Sequence, residues 1–200
     1  MINEIYSAGL ISQSFWFIEM KKVIKLIIAG KSEREIKRIC IDENLFGAAS
    51  EYRVKRIYGY IWNRVKHLDD KMLELFIDSD LSTQKLINLI AILKGDRLFF
   101  EFLFEEYREK IILGIPTIED SDINIFFKNK EAQSENILSW TESTKKKLRN
   151  IYTNFMIEAN LVTVIDKEKR ITPPILDIAL EHYLEVIGDS SIIKAITGVH

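Results

Sequence analysis

Apolar residues recur at helical spacing along almost the whole chain, and this periodicity limits the folds that the chain can adopt. The clearest case is "ASEYRVKRIYGYIWNRVKH" at residues 49–67, where Val54, Ile57, Tyr58, Ile61 and Val65 return every three or four residues. Side chains at that spacing share one face of an α-helix. The same pattern predicts helices at 33–43, 69–78, 83–94, 96–112 and 119–131, and before Gly30. The sequence therefore predicts a mainly α, compact multi-helix protein.

Capping residues indicate where several of these helices begin and end. Ser32 followed by Glu35 is a capping box, in which both side chains satisfy free backbone N–H groups. Gly30 suits the left-handed position after a helix end, and Ser82 is a candidate start for the helix at 83–94. Pro174 is expected in the first turn of a last long helix that Gly188 ends, with a short amphipathic tail after it.

The C-terminal third has a different pattern. A helix is expected after Thr141 or Ser143, and the β-branched residues of "VTVIDKEKRI" then predict a β-hairpin near residues 162–172. Helix followed by hairpin is the order found in a winged helix. We therefore expect two domains: a helical one at residues 1–115, helix-turn-helix-like, and one at 116–200 that is winged-helix-like.

Composition excludes several classes of protein. The chain has 200 residues, a net charge of −2 and a single cysteine, Cys40, so no internal disulfide can form. No apolar run approaches the roughly 20 residues needed to cross a bilayer, and no secretory signal is evident, so we expect a cytoplasmic protein without membrane contact. Its three histidines are far apart and no phosphate-loop motif occurs. We predict no enzyme, no catalytic residues, no metal site and no cofactor.

Cations are concentrated in one part of the chain. Residues 31–67 contain nine Lys and Arg against five Asp and Glu, a net of +4, whereas residues 68–133 contain eight against fourteen, a net of −6. On the helix at 49–67, the arc opposite the apolar face holds Arg53, Arg56, Tyr60, Arg64 and His67. A basic face in an acidic protein is typical of a surface for a polyanion, because phosphate contacts dominate nucleic-acid affinity.

Other cations extend this candidate DNA-binding set. They are Lys37 and Arg38 on the preceding helix, Lys55, the "KKKLR" group of Lys145, Lys146, Lys147 and Arg149, and the hairpin residues Lys167, Lys169 and Arg170. The helix at 33–43 and the basic helix after it suggest a helix-turn-helix. The intervening "NLFGAAS" is longer than the three- or four-residue turn of the tight motif. Alternatively, the arginine stripe is an ordinary solvated face.

Three segments carry a resemblance to a known family: "YSAGLISQSFWFIEMKKVIKLIIAG", "FGAASEYRVKRIYGYIWNRVKHLDD", and "WTESTKKKLRNIYTNFMIEANLV" with "ITPPILDIALEHYL". Their order resembles BrxA, the small accessory protein A of BREX bacteriophage-exclusion systems, over nearly the whole chain. The resemblance implies a largely α-helical cytoplasmic protein that binds double-stranded DNA and is NusB-like in part of its fold. The positions matching the family's basic helical surface are Arg53, Lys55, Arg56 and Arg64.

Two classes of function follow. The first is a double-stranded DNA-binding accessory protein of a phage-defence system, with other BREX proteins as partners. The second is a protein-interaction scaffold, in which the acidic middle of the chain docks a larger partner and the basic stripe is incidental. The NusB likeness also leaves RNA binding open.

Overall fold

Helices make up most of the computed structural model, which describes residues 6–198. They are α1 (Phe17–Ile28), α2 (Glu33–Asp42), α3 (Glu51–Val65), α4 (Asp70–Asp78), α5 (Leu81–Gly95), α6 (Arg97–Phe102), α7 (Arg108–Ile112), α8 (Asp120–Glu131), α9 (Glu135–Leu138), α10 (Glu142–Glu158), α11 (Ile178–Val186) and α12 (Ser190–Thr197). Within the described residues, the sheet is one antiparallel pair, β1 (Val162–Ile165) and β2 (Glu168–Ile171). The mainly α fold and the position of the hairpin are confirmed.

Side-chain caps start most of the long helices. The Ser32 and Glu35 capping box is present, and Ser50 Oγ accepts from the Arg53 N–H at the start of α3. Helix α5 begins earlier than predicted, because Asp80 rather than Ser82 caps it by accepting from the Thr83 N–H. Each such cap satisfies a backbone donor that has no partner inside the helix.

The expected start of the last long helix was wrong. Pro174 lies in the connection before α11, and the helix begins only at Ile178. Asp177 is its cap, accepting from the backbone N–H groups of Ala179 and Leu180. Each proline disfavours the helical conformation only of the residue before it, and the start of α11 coincides with the capping carboxylate of Asp177.

A π-helical turn at Leu103–Tyr107 joins α6 to α7 and was not predicted. Helix α12 packs against this turn, and Tyr107 donates from its buried hydroxyl to the Leu161 carbonyl at 3.0 Å. Two other short elements were also missed: a 3-10 turn at Gly9–Ser12 and helix α9. All three are too short for a periodic pattern to reveal.

The core is centred on α5, which is buried on nearly all sides and packs against α1, α3, α4 and α6. Aromatic rings extend the core toward α8 and α10. The centroids of Phe99 and Tyr152 are 4.6 Å apart, and those of Phe102 and Phe126 are 5.3 Å apart. These pairs connect residues on both sides of position 115, and the proposed domain boundary there stays a prediction.

The hairpin is closed by Asp166 and Lys167, both in the left-handed region at φ 49° and 70°. This two-residue turn matches the right-handed twist of the strands. On the outer edge of β2, the Ile118 N–H donates to the Lys169 carbonyl at 2.9 Å, and the Ile171 N–H donates to the Pro116 carbonyl at 2.8 Å. The segment at 116–118 therefore runs beside the hairpin. The winged-helix assignment stays a prediction.

Candidate nucleic-acid interface

The basic region is built from α2 and α3, which pack against each other. The connection at residues 43–50 is held by Asn44, whose side-chain amide donates to the Ala48 carbonyl at 3.0 Å and whose oxygen accepts from the Ala48 N–H at 2.9 Å. Asn44 and Gly47 both have positive φ angles, which a reversal of the chain requires here. This connection positions the first turn of α3, but the helix-turn-helix assignment stays a prediction.

Helix α3 is amphipathic as predicted. Its inner face buries Val54, Ile57, Tyr58, Ile61 and Val65. Arg53, Lys55 and Arg56 are exposed on the outer face. The periodic pattern therefore assigned the first half of the helix correctly.

Arg53 and Arg56 line a cleft of about 360 Å³ between α3 and residues 12–16. Arg56 donates from Nη2 to the Ser12 carbonyl at a long 3.5 Å, and its guanidinium lies 5.8 Å from the ring centroid of Tyr52. Among the residues that the structure describes, no carboxylate forms an ion pair with either arginine. Both charges are thus available to an anion, with the exposed Tyr52 ring beside them.

The neighbouring cations are partly neutralised. Lys55 pairs with Glu51, and Arg38 lies 3.6 Å from a Glu43 carboxylate oxygen, both at exposed positions. Exposed pairs of this kind are worth little and rearrange readily. Lys37 is exposed and has no ion pair within residues 6–198.

Tyr60 and His67 add no positive charge to the arc at pH 7. Tyr60 is half-buried and stacks on Trp16 with a centroid distance of 5.6 Å. The His67 ring contacts Gly95, where an added Cβ atom would lie 3.0 Å from Nε2. Desolvation, reinforced by the nearby Lys94, lowers the pKa of His67, so the ring is neutral at pH 7.

Arg64 was wrongly placed on the exposed arc, because its side chain is only 4% exposed. It donates from Nη1 to the Phe15 carbonyl at 2.6 Å, and from Nη2 to the Ser14 carbonyl at 2.7 Å and to Gln13 Oε1 at 3.0 Å. Burial lowers its pKa to about 9, and it stays charged at pH 7. Residues 13–15 lie over the second half of α3 and bury Arg64. A helical wheel shows only the residues of one helix, so it cannot show that another segment covers them.

The second basic cluster, on α10 and the hairpin, is largely neutralised by acidic neighbours. Lys145 pairs with Glu131 and Glu142. Arg149 and Lys169 share Asp120, and Arg170 lies 3.2 Å from Glu168. Lys146, Lys147 and Lys167 are exposed and form no such pairs in the described part of the chain.

The described residues were also compared with the requirements of a metal site, a cysteine nucleophile and a membrane-spanning helix. Across residues 6–198, no group of three or more His, Cys, Asp or Glu side chains is arranged to hold a metal ion. Burial raises the pKa of the Cys40 thiol to about 11, so it is protonated at neutral pH and unsuited to act as a nucleophile. Over the same residues, no helix combines the length and apolar character that crossing a bilayer requires.

Sequence reasoning missed the aromatic side of the cleft. Trp16 adopts the left-handed conformation, with φ 46°, at the start of α1, and packs against Tyr60 more than forty positions later. No local pattern connects two residues so far apart. The two belong to one surface only because residues 12–16 cross α3.

Comparison with known proteins agrees with this arrangement of elements. The model of the BrxA family matches residues 4–188. A protein of Bacillus cereus (strain H3081.97) named "BREX protein BrxA" is 35% identical over 196 residues, which are 98% of each chain. The chain belongs to the BrxA family.

A solved structure shows that the fold itself recurs. The crystal structure of an uncharacterized protein from Magnetospirillum magneticum superposes with a TM-score of 0.83, covering 97% of this chain and 99% of that one. The two sequences are only 18% identical. The helical architecture of this chain therefore also occurs in a protein of widely divergent sequence.

Proposed function

We propose that this BrxA family member is a double-stranded DNA-binding accessory protein of a BREX phage-defence system. It acts in the cytoplasm without enzymatic activity of its own, together with other BREX proteins. The name of the Bacillus cereus relative supports the BREX assignment. The DNA-binding part of the proposal is supported by the chemistry of α3.

One observation carries the DNA-binding proposal: Arg53 and Arg56 are exposed on neighbouring turns of α3, beside the exposed ring of Tyr52, and neither has a carboxylate partner in the described residues. An unpaired guanidinium can bind two phosphate oxygens at once and pays no cost to break an internal pair. The exposed hydroxyl of Tyr52 provides a further donor beside them. Helix α3 is therefore the main contact, and Lys37 extends it on α2.

The contact is with phosphates rather than base edges. A phosphate contact supplies affinity that falls steeply with salt and carries no sequence information. Two arginines on consecutive turns of a helix match this role. The α10 and hairpin cations are a secondary contact, because carboxylates already balance most of them.

A titration of labelled duplex DNA at several salt concentrations tests the proposal. The variant Arg53→Ala/Arg56→Ala should bind several unrelated duplexes more weakly by a similar factor, and the slope of log affinity against log salt should fall by about 0.9 for each lost contact. Lys71→Ala is the matched control, since it removes an exposed cation from α4. Unchanged affinity and slope in a folded double variant would reject α3 as the contact.

Duplex RNA is the informative competitor in the same assay. Its backbone carries the same phosphate charge, but its major groove is too deep and narrow to admit helix α3 between the two phosphate backbones. Preference for duplex DNA over duplex RNA is the expected result. Tighter binding of duplex RNA would contradict the proposal that DNA is the ligand.

A further inference from the structure

Helix α11 carries an apolar stripe that no described part of the chain covers. Ile178 is 84% exposed and Val186 is 68% exposed. A helix turns by about 100° per residue, so Ile178, His182 and Val186 lie within about 80° of one another. Ile175, two residues before the cap of this helix, is 99% exposed. Ile178 and Val186 therefore lie on one exposed side of α11, and together with Ile175 in the connection before the helix they are called the α11 stripe.

This stripe differs from isolated apolar residues on the surface. Single exposed apolar side chains, such as Ile125 on α8, are normal in folded proteins. Neighbouring exposed apolar side chains form a patch, and such a patch on a folded protein marks an interaction site. The opposite face of α11 already fills the core with Leu180 and Leu184. Helix α11 therefore has apolar residues on two sides, of which one is buried in the core and the other is exposed.

The charge around the stripe is strongly negative. No Lys or Arg occurs from residue 171 to residue 193, while four acidic residues do. Glu181 and Glu185 follow one edge of the stripe on the helical wheel and form no ion pair in the described structure. Tyr183 follows the other edge and donates to Asp69, the N-cap of α4, at 2.6 Å, which adds another carboxylate there. The stripe is therefore bordered by acid on both sides.

We propose that the α11 stripe is a docking site for a basic amphipathic helix of a partner protein. Apolar residues of that helix, spaced three and four apart, cover Ile178 and Val186, and its flanking Lys or Arg side chains meet Glu181 and Glu185. This proposal is independent of DNA binding, because the surface repels phosphate. The same acidic border argues against an anionic membrane.

A second copy of the chain is a poorer occupant. In a two-fold dimer the same patch faces itself, so the acidic borders of both copies would lie together. Like charges brought close in an interface repel each other and weaken association. A basic helix faces no such cost and gains from both edges.

The probe is a fluorescein-labelled 18-residue helical peptide of Leu and Lys, with leucines at positions i, i+3, i+4 and i+7. Its matched control is a peptide of the same composition in scrambled order, which keeps the charge but has no apolar face. Fluorescence anisotropy should show at least tenfold tighter binding of the amphipathic peptide. Equal binding of both peptides would overturn the proposal.

Variants of the protein locate the binding site. Ile178→Ser/Val186→Ser should weaken binding at least tenfold, and Glu181→Gln/Glu185→Gln should weaken it at least threefold and reduce its salt dependence. Ile125→Ser, which removes a similarly exposed isoleucine from another helix, should change affinity less than twofold. Equal losses in the Ile125 control and the stripe variant would overturn the assignment to α11.

Light scattering of the protein alone tests whether a second copy of the chain occupies the stripe. A monomer at the concentrations used for anisotropy is the expected result, with or without the stripe substitutions. A dimer that Ile178→Ser/Val186→Ser dissociates would assign the stripe to self-association and overturn the proposal. Circular dichroism of each variant verifies that the helices are intact.

Discussion

Arg64 and Phe15 are joined by a hydrogen bond of 2.6 Å from the buried guanidinium to the backbone carbonyl. Asn88 of α5 donates to the same carbonyl at 2.9 Å. One backbone oxygen therefore connects α3, α5 and the segment that leads into α1. No carboxylate of the described residues forms an ion pair with this buried charge, although Glu19 acts on it at longer range; backbone carbonyls and aromatic rings surround it.

Arg64→Met should destabilise the fold by about 3 kcal/mol, because two backbone carbonyls and Gln13 lose a charged donor in a buried site. Urea unfolding measures the change. Lys66→Met, an exposed substitution two residues away, is the control and should shift stability by no more than about 0.5 kcal/mol. Similar stability of both variants would contradict the structural role of Arg64.

Lys130→Met should also be destabilising. Lys130 is 2% exposed and lies 2.6 Å from carboxylate oxygens of both Glu101 and Glu105. Removing this buried cation leaves the partly exposed Glu105 without its partner, while Glu101 keeps Arg97 and Tyr6, so the expected loss is roughly 1–3 kcal/mol. Lys128→Met on the same helix, where the side chain is exposed, is the matched control. Urea unfolding compares the stability of the two variants. Equal unfolding midpoints would show that the ion pairs of Lys130 with Glu101 and Glu105 do not stabilise the fold.

Asp96→Asn should change the dependence of stability on pH. Burial raises the pKa of Asp96 from 3.8 to about 6, while its side chain caps α6 by accepting from the Phe99 N–H at 2.9 Å. Between these two pH values the folded state holds the proton and the unfolded state releases it, so the free energy of unfolding falls as pH rises. Asparagine caps equally well and does not titrate.

The free energy of unfolding of Asp96→Asn should therefore exceed that of the parent protein by an amount that grows from about pH 4 to pH 6 and then levels off. Its final size is of the order of 2–3 kcal/mol, from about two pKa units at 1.36 kcal/mol each. Urea unfolding of both proteins at pH 4, 5, 6 and 7.5 measures it. Parallel stability curves at all four pH values would contradict this account of the buried carboxyl.

Lys169→Ala should reduce DNA affinity less than Arg53→Ala, because Asp120 already balances Lys169 while Arg53 has no ion pair in the structure described. We expect less than a twofold loss for Lys169→Ala, and a salt slope close to that of the parent protein. Anisotropy titrations with one duplex at two salt concentrations compare the variants. A larger loss for Lys169→Ala would make the hairpin the primary contact.

Local chemistry alone determined much of the helical framework. The capping box at Ser32 and the buried stripe of α3 depend on residues within one or two turns, and both were predictable. The β-branched residues at 162–165 before a polar turn likewise placed the hairpin correctly. Such features can be predicted without the rest of the chain, because they depend on hydrogen bonds and on the spacing of side chains within one element.

Tertiary structure decided which charges and which apolar faces reach solvent. Arg64 has the spacing of an exposed arginine, and it is buried because residues 13–15 cross its helix. Arg149 and Lys169 are neutralised by Asp120, which is distant from both in sequence, and Val186 is exposed because no described element packs on that side of α11. Burial and ion pairing depend on contacts between remote segments, and a helical wheel contains no information about what packs against it.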